Sequence, residues 1–209
     1  MGHHQHVHEH DKGLRANLHW LRQIRKFWQS DTNRAVTDLV DVQAGETVLD
    51  IGAGMGPATV AAARKGATVI AVDPSPMMRK MLSFRRLGQR ARKRITVANG
   101  VAESLPAADS TIDAAWTVNA IHHWVDLEAA FDELARVLAP GGRIILLDED
   151  FTHPDHPLYA THSGHEDELT NVVVDEIAAS LTARGIEATG QLTTMAGVPV
   201  KLIQGVKIV

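Results

Sequence analysis

The chain has 209 residues, 44% hydrophobic and 22% charged, with no cysteine and a formal charge of -4. That suits one domain with its own core and excludes a disordered or fibrous chain; lack of cysteine removes disulfide frameworks, thiolate nucleophiles and thiolate zinc sites, leaving oxygen and nitrogen side chains for any chemistry. The small charge leaves no global footprint for nucleic acid, no run approaches the roughly 18 apolar residues of a membrane span, and the start lacks a signal peptide's apolar region, so the reading is cytoplasmic.

Residues 1–12 read as a disordered tail: five of the twelve histidines fall between Met1 and His10, without the apolar periodicity that would pack them. Such a tail offers no fixed metal geometry. Residues 13–44 read as N-terminal cap helices. Leu14, Leu18, Leu21, Ile24, Phe27 and Trp28 recur at steps of three and four, and after Ser30-Asp31, with Asp31 as cap, a second helix carries Ala35, Val36, Leu39 and Val40. His19, Trp20 and Trp28 are candidate lid residues, although the tryptophans read as mostly core.

Residues 45–209 form one α/β domain in which short β-branched runs alternate with helices. Strands are predicted at Thr47 to Ile51, Thr68 to Val72, Ile95 to Ala98, Ile112 to Val118 and Arg143 to Leu147. Helices fall at about Pro57 to Arg64, Pro76 to Leu87 and Leu127 to Leu138. That alternation predicts a parallel sheet covered by helices on both faces. A helix from about Leu169 to Arg184, stopped by Gly185, then precedes two β segments, Ile186 to Thr194 and Val198 to Val209, joined as a hairpin through Ala196-Gly197.

The sharpest signal is Val48-Leu49-Asp50-Ile51-Gly52-Ala53-Gly54-Met55-Gly56-Pro57, a buried strand running into a glycine turn and a helix. Glycines let the backbone approach a ligand closely, and the helix start offers free N–H groups. Asp73 ends the next strand about twenty residues on, where a carboxylate can accept both hydroxyls of a ribose. A dinucleotide fingerprint would need glycine where Pro57 stands, and Asp50 would repel a pyrophosphate but suits a cationic ligand. Both details speak against a nicotinamide oxidoreductase.

Asp50 to Gly56 resembles the first motif of the class I S-adenosylmethionine-dependent methyltransferases, and Asp73 matches their ribose-binding acid. Asn99-Gly100-Val101-Ala102-Glu103-Ser104-Leu105-Pro106 is similar to the segment that frames the adenine. Asn119-Ala120-Ile121-His122-His123-Trp124 and Ala135-Arg136-Val137-Leu138-Ala139-Pro140-Gly141-Gly142-Arg143 resemble the branch related to ubiquinone and menaquinone biosynthesis methyltransferases. The match spans about Val48 to Leu147. It implies a Rossmann-like doubly wound sheet of seven strands, mostly parallel with one reversed C-terminal strand. It also implies S-adenosylmethionine as cofactor, S-adenosylhomocysteine as product, and a small-molecule methyl acceptor.

By that resemblance Gly52, Ala53, Gly54 and Gly56 shape the cofactor turn, Asp50 holds the amino-acid end directly or through water, and Asp73 holds the ribose. Pro74 and Met77 flank the adenine, Val101 and Ala102 meet it, and Asn119 closes the cofactor site. Val101 departs from the family, which usually has an aspartate there to accept the adenine amine; the loss is on the order of 1 to 3 kcal/mol. This substitution motivates an alternative reading, a degenerate protein that binds the cofactor without turnover.

Methyl transfer chiefly needs alignment and exclusion of water, and a general base helps only when the acceptor must lose a proton. His122 or His123 is the candidate base, in the loop after the fourth strand. Trp124 reads as a packing wall and Asp148, Glu149 and Asp150 as a solvated strand end. Thr152 to Pro157, followed by His162, His165, Glu166 and Asp167, has no zinc-ligand spacing and reads as surface loop, with no metal centre assigned. Arg79, Lys80, Arg85, Arg86, Arg90, Arg92, Lys93 and Arg94 read as a solvated face rather than a nucleic-acid surface. The acceptor's identity and the oligomeric state are not encoded in any motif.

Overall fold

The computed structural model describes residues 31–157, 159 and 172–208. The first N-terminal helix, the His-rich tail, the three lid candidates and the residues from His162 to Asp167 lie outside them.

Seven strands form one sheet: β1 (Thr47–Ile51), β2 (Thr68–Val72), β3 (Ile95–Ala98), β4 (Ile112–Val118), β5 (Leu138–Glu149), β6 (Ile186–Met195) and β7 (Val198–Lys207). Their order is β3-β2-β1-β4-β5-β7-β6. The pairs among the first five are parallel, and β7 runs antiparallel to both neighbours, as expected. The chain works outward from β1 to β3 and then resumes on the other side of β1 with β4. A crevice at the carboxyl ends of β1 and β4 follows from that reversal, and it is where such sheets bind ligands.

Alternation along the strands assigns the two faces. Leu49, Ile51, Ile144 and Leu146 pack with Phe131 and Leu134 of α4 (Leu127–Val137) and with Ile177 and Leu181 of α5 (Val174–Thr182). Val48, Trp116, Ile145 and Leu147 pack with Val36 of α1 (Asp31–Leu39) and with Val60, Ala62 and Ala63 of α2 (Pro57–Lys65). Leu82 of α3 (Pro76–Leu87) rests on Ala53 and Ala71. The helix expected after Asp31 is α1, with Asp31 inside the helix, where its carboxylate accepts from Arg34 at 2.6 Å.

Two element starts differ most from the sequence pattern. β5 starts at Leu138, five residues early, because Leu138 pairs with Ile112 while Arg143 pairs with Ala114, folding residues 139–142 into a bulge within the strand. Pro140 and two glycines obscure that continuation, and Gly142 is required: a Cβ there would lie 2.7 Å from the Ala139 carbonyl oxygen. α5 starts at Val174 rather than near Leu169, since Val172 and Val173 are not helical. The β6–β7 hairpin turns at Ala196 and Gly197, with φ of 50° and 82°, the pair of positive values that a two-residue turn between twisted strands favours.

Candidate cofactor and acceptor site

The glycine turn is pinned to the end of β2. Gly52 and Ala53 donate their N–H groups to the Val72 carbonyl at 2.9 and 3.0 Å, and Gly56 donates to Ala53 at 2.8 Å. The three glycines do different work. A Cβ on Gly52 would stand 2.7 Å from that of Ala120, and one on Gly56 would stand 2.1 Å from Leu82 Cδ1, so both positions are closed by protein. Gly54, with φ of 53°, faces no other heavy atom within 4 Å among the described residues. Among the described residues, space for a ligand therefore opens over the middle one of these three glycines.

Asp73 borders that space and is nearly buried. Its Oδ2 accepts the Gly54 N–H and its Oδ1 the Ser75 N–H, each at 2.8 Å. Each carboxylate oxygen keeps a second acceptor direction, enough for two adjacent hydroxyls. Asp50 lies beneath the turn and is 4% exposed. The Thr59 hydroxyl donates to its Oδ2 from the first turn of α2. Burial raises the Asp50 carboxyl to about 6, against the Thr59 hydrogen bond, which lowers it; the charge of Asp73 adds a further upward push. Across the β1–β4 ladder, the Trp116 indole N–H, which has no partner of hydrogen-bond geometry among the described residues, lowers the Asp50 carboxyl by less than Thr59 does.

Beyond β3, Asn99, Gly100, Val101, Ser104, Leu105 and Pro106 line an open hollow of about 370 Å³. Ala102 is buried, whereas Val101 and Met77 are exposed at the edges of their segments. The Pro74 carbonyl accepts from Arg79. Glu103 braces the hollow: its Oε1 accepts the Val125 and Asp126 N–H groups at 2.7 and 3.1 Å, tying this segment to the start of α4. Nothing in its sequence position announces that contact.

At the ends of β4 and β5, Asn119 takes a positive φ and its Oδ1 accepts the Glu149 N–H at 2.7 Å. The expectation of a solvated strand end fails at Asp148, which is 3% exposed. Its Oδ1 accepts from Ala120 and Ile121 at 3.0 and 3.3 Å, and its Oδ2 from the His122 N–H at 3.3 Å. The His122 ring joins them, Nδ1 to Oδ2 at 2.6 Å. Asp148 is buried because the turn after β4 has nowhere else to spend its donors. His123 is exposed, with its ring centroid 4.0 Å from that of His122. Trp124 meets Phe131 edge to face at 6.4 Å, the packing wall expected.

Two further expectations are corrected. His156, read as part of a surface loop, is buried against Phe151, with Nε2 3.2 Å from Glu149 Oε2, because successive turns fold the loop back onto the end of β5. The basic block is not simply solvated: Arg79, Arg85, Arg86 and Arg94 donate to the carbonyls of Asp73, Met55, Ile95 and Gly66. Burial pulls the Arg85 guanidinium down to about 10.

Residues 49–146, spanning the glycine turn, the hollow and the His122 turn, match the model of the methyltransferase domain family. That match covers 98 of the 209 residues, somewhat under half of the chain, and makes this stretch similar to a methyltransferase domain. Among the relatives it is similar to, the demethylmenaquinone methyltransferase of Thermobifida fusca is 39% identical over 134 residues, 64% of this chain and 54% of that protein. An uncharacterized methyltransferase of Mycobacterium tuberculosis is 44% identical over 105 residues, 50% of this chain and 40% of that one. The chain thus spans about half the length of the curated relatives it matches. Its fold is that of a SAM dependent methyltransferase from Aquifex aeolicus, with a TM-score of 0.69 at 18% identity, covering 96% of this chain and 100% of that one.

S-adenosylmethionine, the cofactor of this class, fits the residues present. No described residue covers Gly54 in the glycine turn, Asp73 keeps acceptor capacity beside it, and Asp50 places a carboxylate below a ligand that is cationic at sulfur and at its amino group.

Proposed function

We propose that this chain transfers the methyl of S-adenosylmethionine to an oxygen, nitrogen or carbon atom of a small molecule. The carrying observation is the pairing of Asp73 with the Gly54 N–H beneath open space, which presents a hydroxyl-binding carboxylate where the backbone can be approached most closely. When bound, S-adenosylmethionine supplies an electrophilic sulfonium methyl, so the protein's task is placement and exclusion of water. In this reading Gly52, Ala53, Gly54 and Gly56 form the cradle and Asp73 takes the ribose. Asp50 acts from below through its charge, since its burial under α2 leaves little for direct contact.

The adenine lies in the hollow beyond β3, with Ala102 and Val101 on one side and Pro74 and Met77 on the other; Asn119 fixes the far wall. His122 and His123 stand at the acceptor end and are the side chains through which a proton could leave. Four guanidinium groups of the basic block are spent on backbone carbonyls, which supports a small-molecule acceptor over a nucleic acid.

Calorimetric titration with S-adenosylmethionine and S-adenosylhomocysteine tests the proposal. Saturable binding, lost in Asp73→Ala and absent with NADH, is the expected result. No binding up to about millimolar, a free energy near −4 kcal/mol, would refute it. Methylated product detected by mass separates an enzyme from a protein that only binds the cofactor.

A further inference from the structure

We infer that Asp148 is the positioning residue of a general base: it holds His122 with the proton on Nδ1, leaving Nε2 to accept one from a hydroxyl or acidic-carbon acceptor. This rests on the proposed methyl transfer and narrows it to acceptors that must lose a proton. The argument starts from the donors around the carboxylate. Oδ1 accepts two backbone N–H groups and Oδ2 a third, so Asp148 is surrounded by donors before the ring is considered. An oxygen so placed serves as an acceptor, and the imidazole 2.6 Å away must donate through Nδ1. Among the described residues His122 Nε2 has no hydrogen-bond partner. The ring is partly exposed, in the turn that follows β4, at the sheet edge that carries Gly54 and Asp73. A neutral amine would need no such base.

In the step assigned here, His122 Nε2 takes the acceptor's proton as the acceptor's electron pair forms the new bond to the methyl carbon. The carbon–sulfur bond breaks and its electrons return to sulfur, giving the thioether of S-adenosylhomocysteine. His122 then carries a positive charge beside Asp148 and passes the proton to solvent.

The test uses the whole chain in two measurements. Long-range proton–nitrogen spectra of histidine-labelled protein, without cofactor, should show His122 protonated at Nδ1, and Asp148→Asn should move that proton to Nε2, because the amide turns a donor toward Nδ1. Methylation is then followed with catechol, ethyl acetoacetate and aniline as probes. Catechol or ethyl acetoacetate should be methylated, with kcat lowered at least about 100-fold in His122→Gln and Asp148→Asn and KM for S-adenosylmethionine changed less than about twofold. His122→Gln leaves the backbone caps of Asp148 intact and decides the matter should Asp148→Asn fail to fold. An Nε2-protonated His122 in the unmodified chain, unchanged kcat in His122→Gln, or methylation of aniline alone would overturn the inference. Failure of S-adenosylmethionine to bind would instead sink the proposed function, and the spectra, which need neither ligand, would still decide the role of Asp148.

Discussion

Gly54 and Gly56 lie two residues apart in one turn, and the structure separates what each is for. Both have positive φ, 53° and 73°, so an alanine at either pays the left-handed penalty of roughly 1 to 2 kcal/mol. Reduced freedom of the unfolded chain returns about 0.4 to 1 kcal/mol of that. For Gly54→Ala nothing more is added, since the new Cβ meets no heavy atom within 4 Å among the described residues. For Gly56→Ala the Cβ falls 2.1 Å from Leu82 Cδ1, in a side chain with no exposure, and overpacking adds about 1 to 3 kcal/mol. With about 2 to 4 °C per kcal/mol in a chain of this size, Tm should fall by at most about 6 °C in Gly54→Ala and by about 2 to 12 °C more than that in Gly56→Ala, the share of the overpacking. Calorimetry should show the opposite ranking for the cofactor: Gly54→Ala puts a methyl into the ligand's space and should weaken S-adenosylmethionine at least about tenfold, or 1.4 kcal/mol. Equal thermal losses in the two variants, or unchanged cofactor affinity in Gly54→Ala, would refute the division of roles.

Asp50→Asn should be more stable than the parent chain at neutral pH yet bind cofactor more weakly. The native carboxyl titrates near 6 against an ordinary 3.8, so between those values the folded chain holds a proton that the unfolded chain has lost. Stability from this group is therefore full below about pH 4 and declines as pH rises through 6, by on the order of 3 kcal/mol. Urea melts of both proteins from pH 4 to 7 should diverge upward, and a constant difference would refute the shift. Thr117→Val removes a fully buried hydroxyl that has no partner among the described residues, and should stabilise the ligand-free protein by about 1 kcal/mol in urea; a loss of that size would show that the hydroxyl is satisfied. Arg136→Ala should cost about 1 to 2 kcal/mol that high salt does not abolish, because Arg136 holds the Leu105 and Ala107 carbonyls as well as Glu133 and Asp109. A loss erased by salt would reduce it to a surface ion pair.

What could be read from the chain before its structure was whatever a few neighbouring residues decide. β1, β2, β3 and β4 begin and end where the β-branched runs do, and Pro76 with Ser75 before it marks the start of α3, where the Ser75 hydroxyl accepts the Met78 N–H. The glycine turn and Asp73 were legible for the same reason, since spacing along two adjacent strands fixes their meeting. β5 was cut short because Pro140-Gly141-Gly142 carries turn chemistry locally, while the continuation is enforced by Leu138 pairing with Ile112. Only the sheet contains that information.

Asp148 shows the same limit at the site. Asp148-Glu149-Asp150 is three acids in a row, which by composition is a solvated strand end. Its first member is buried because the turn after β4 brings the Ala120, Ile121 and His122 N–H groups to the end of β5 with no helix or strand to receive them. The carboxylate that satisfies this backbone need also faces the His122 ring. A histidine chosen from sequence as one of two candidates is thereby singled out: His122 is largely buried and has a carboxylate on Nδ1, while its neighbour His123 is exposed. The distinction between them came from twenty-six residues away along the chain.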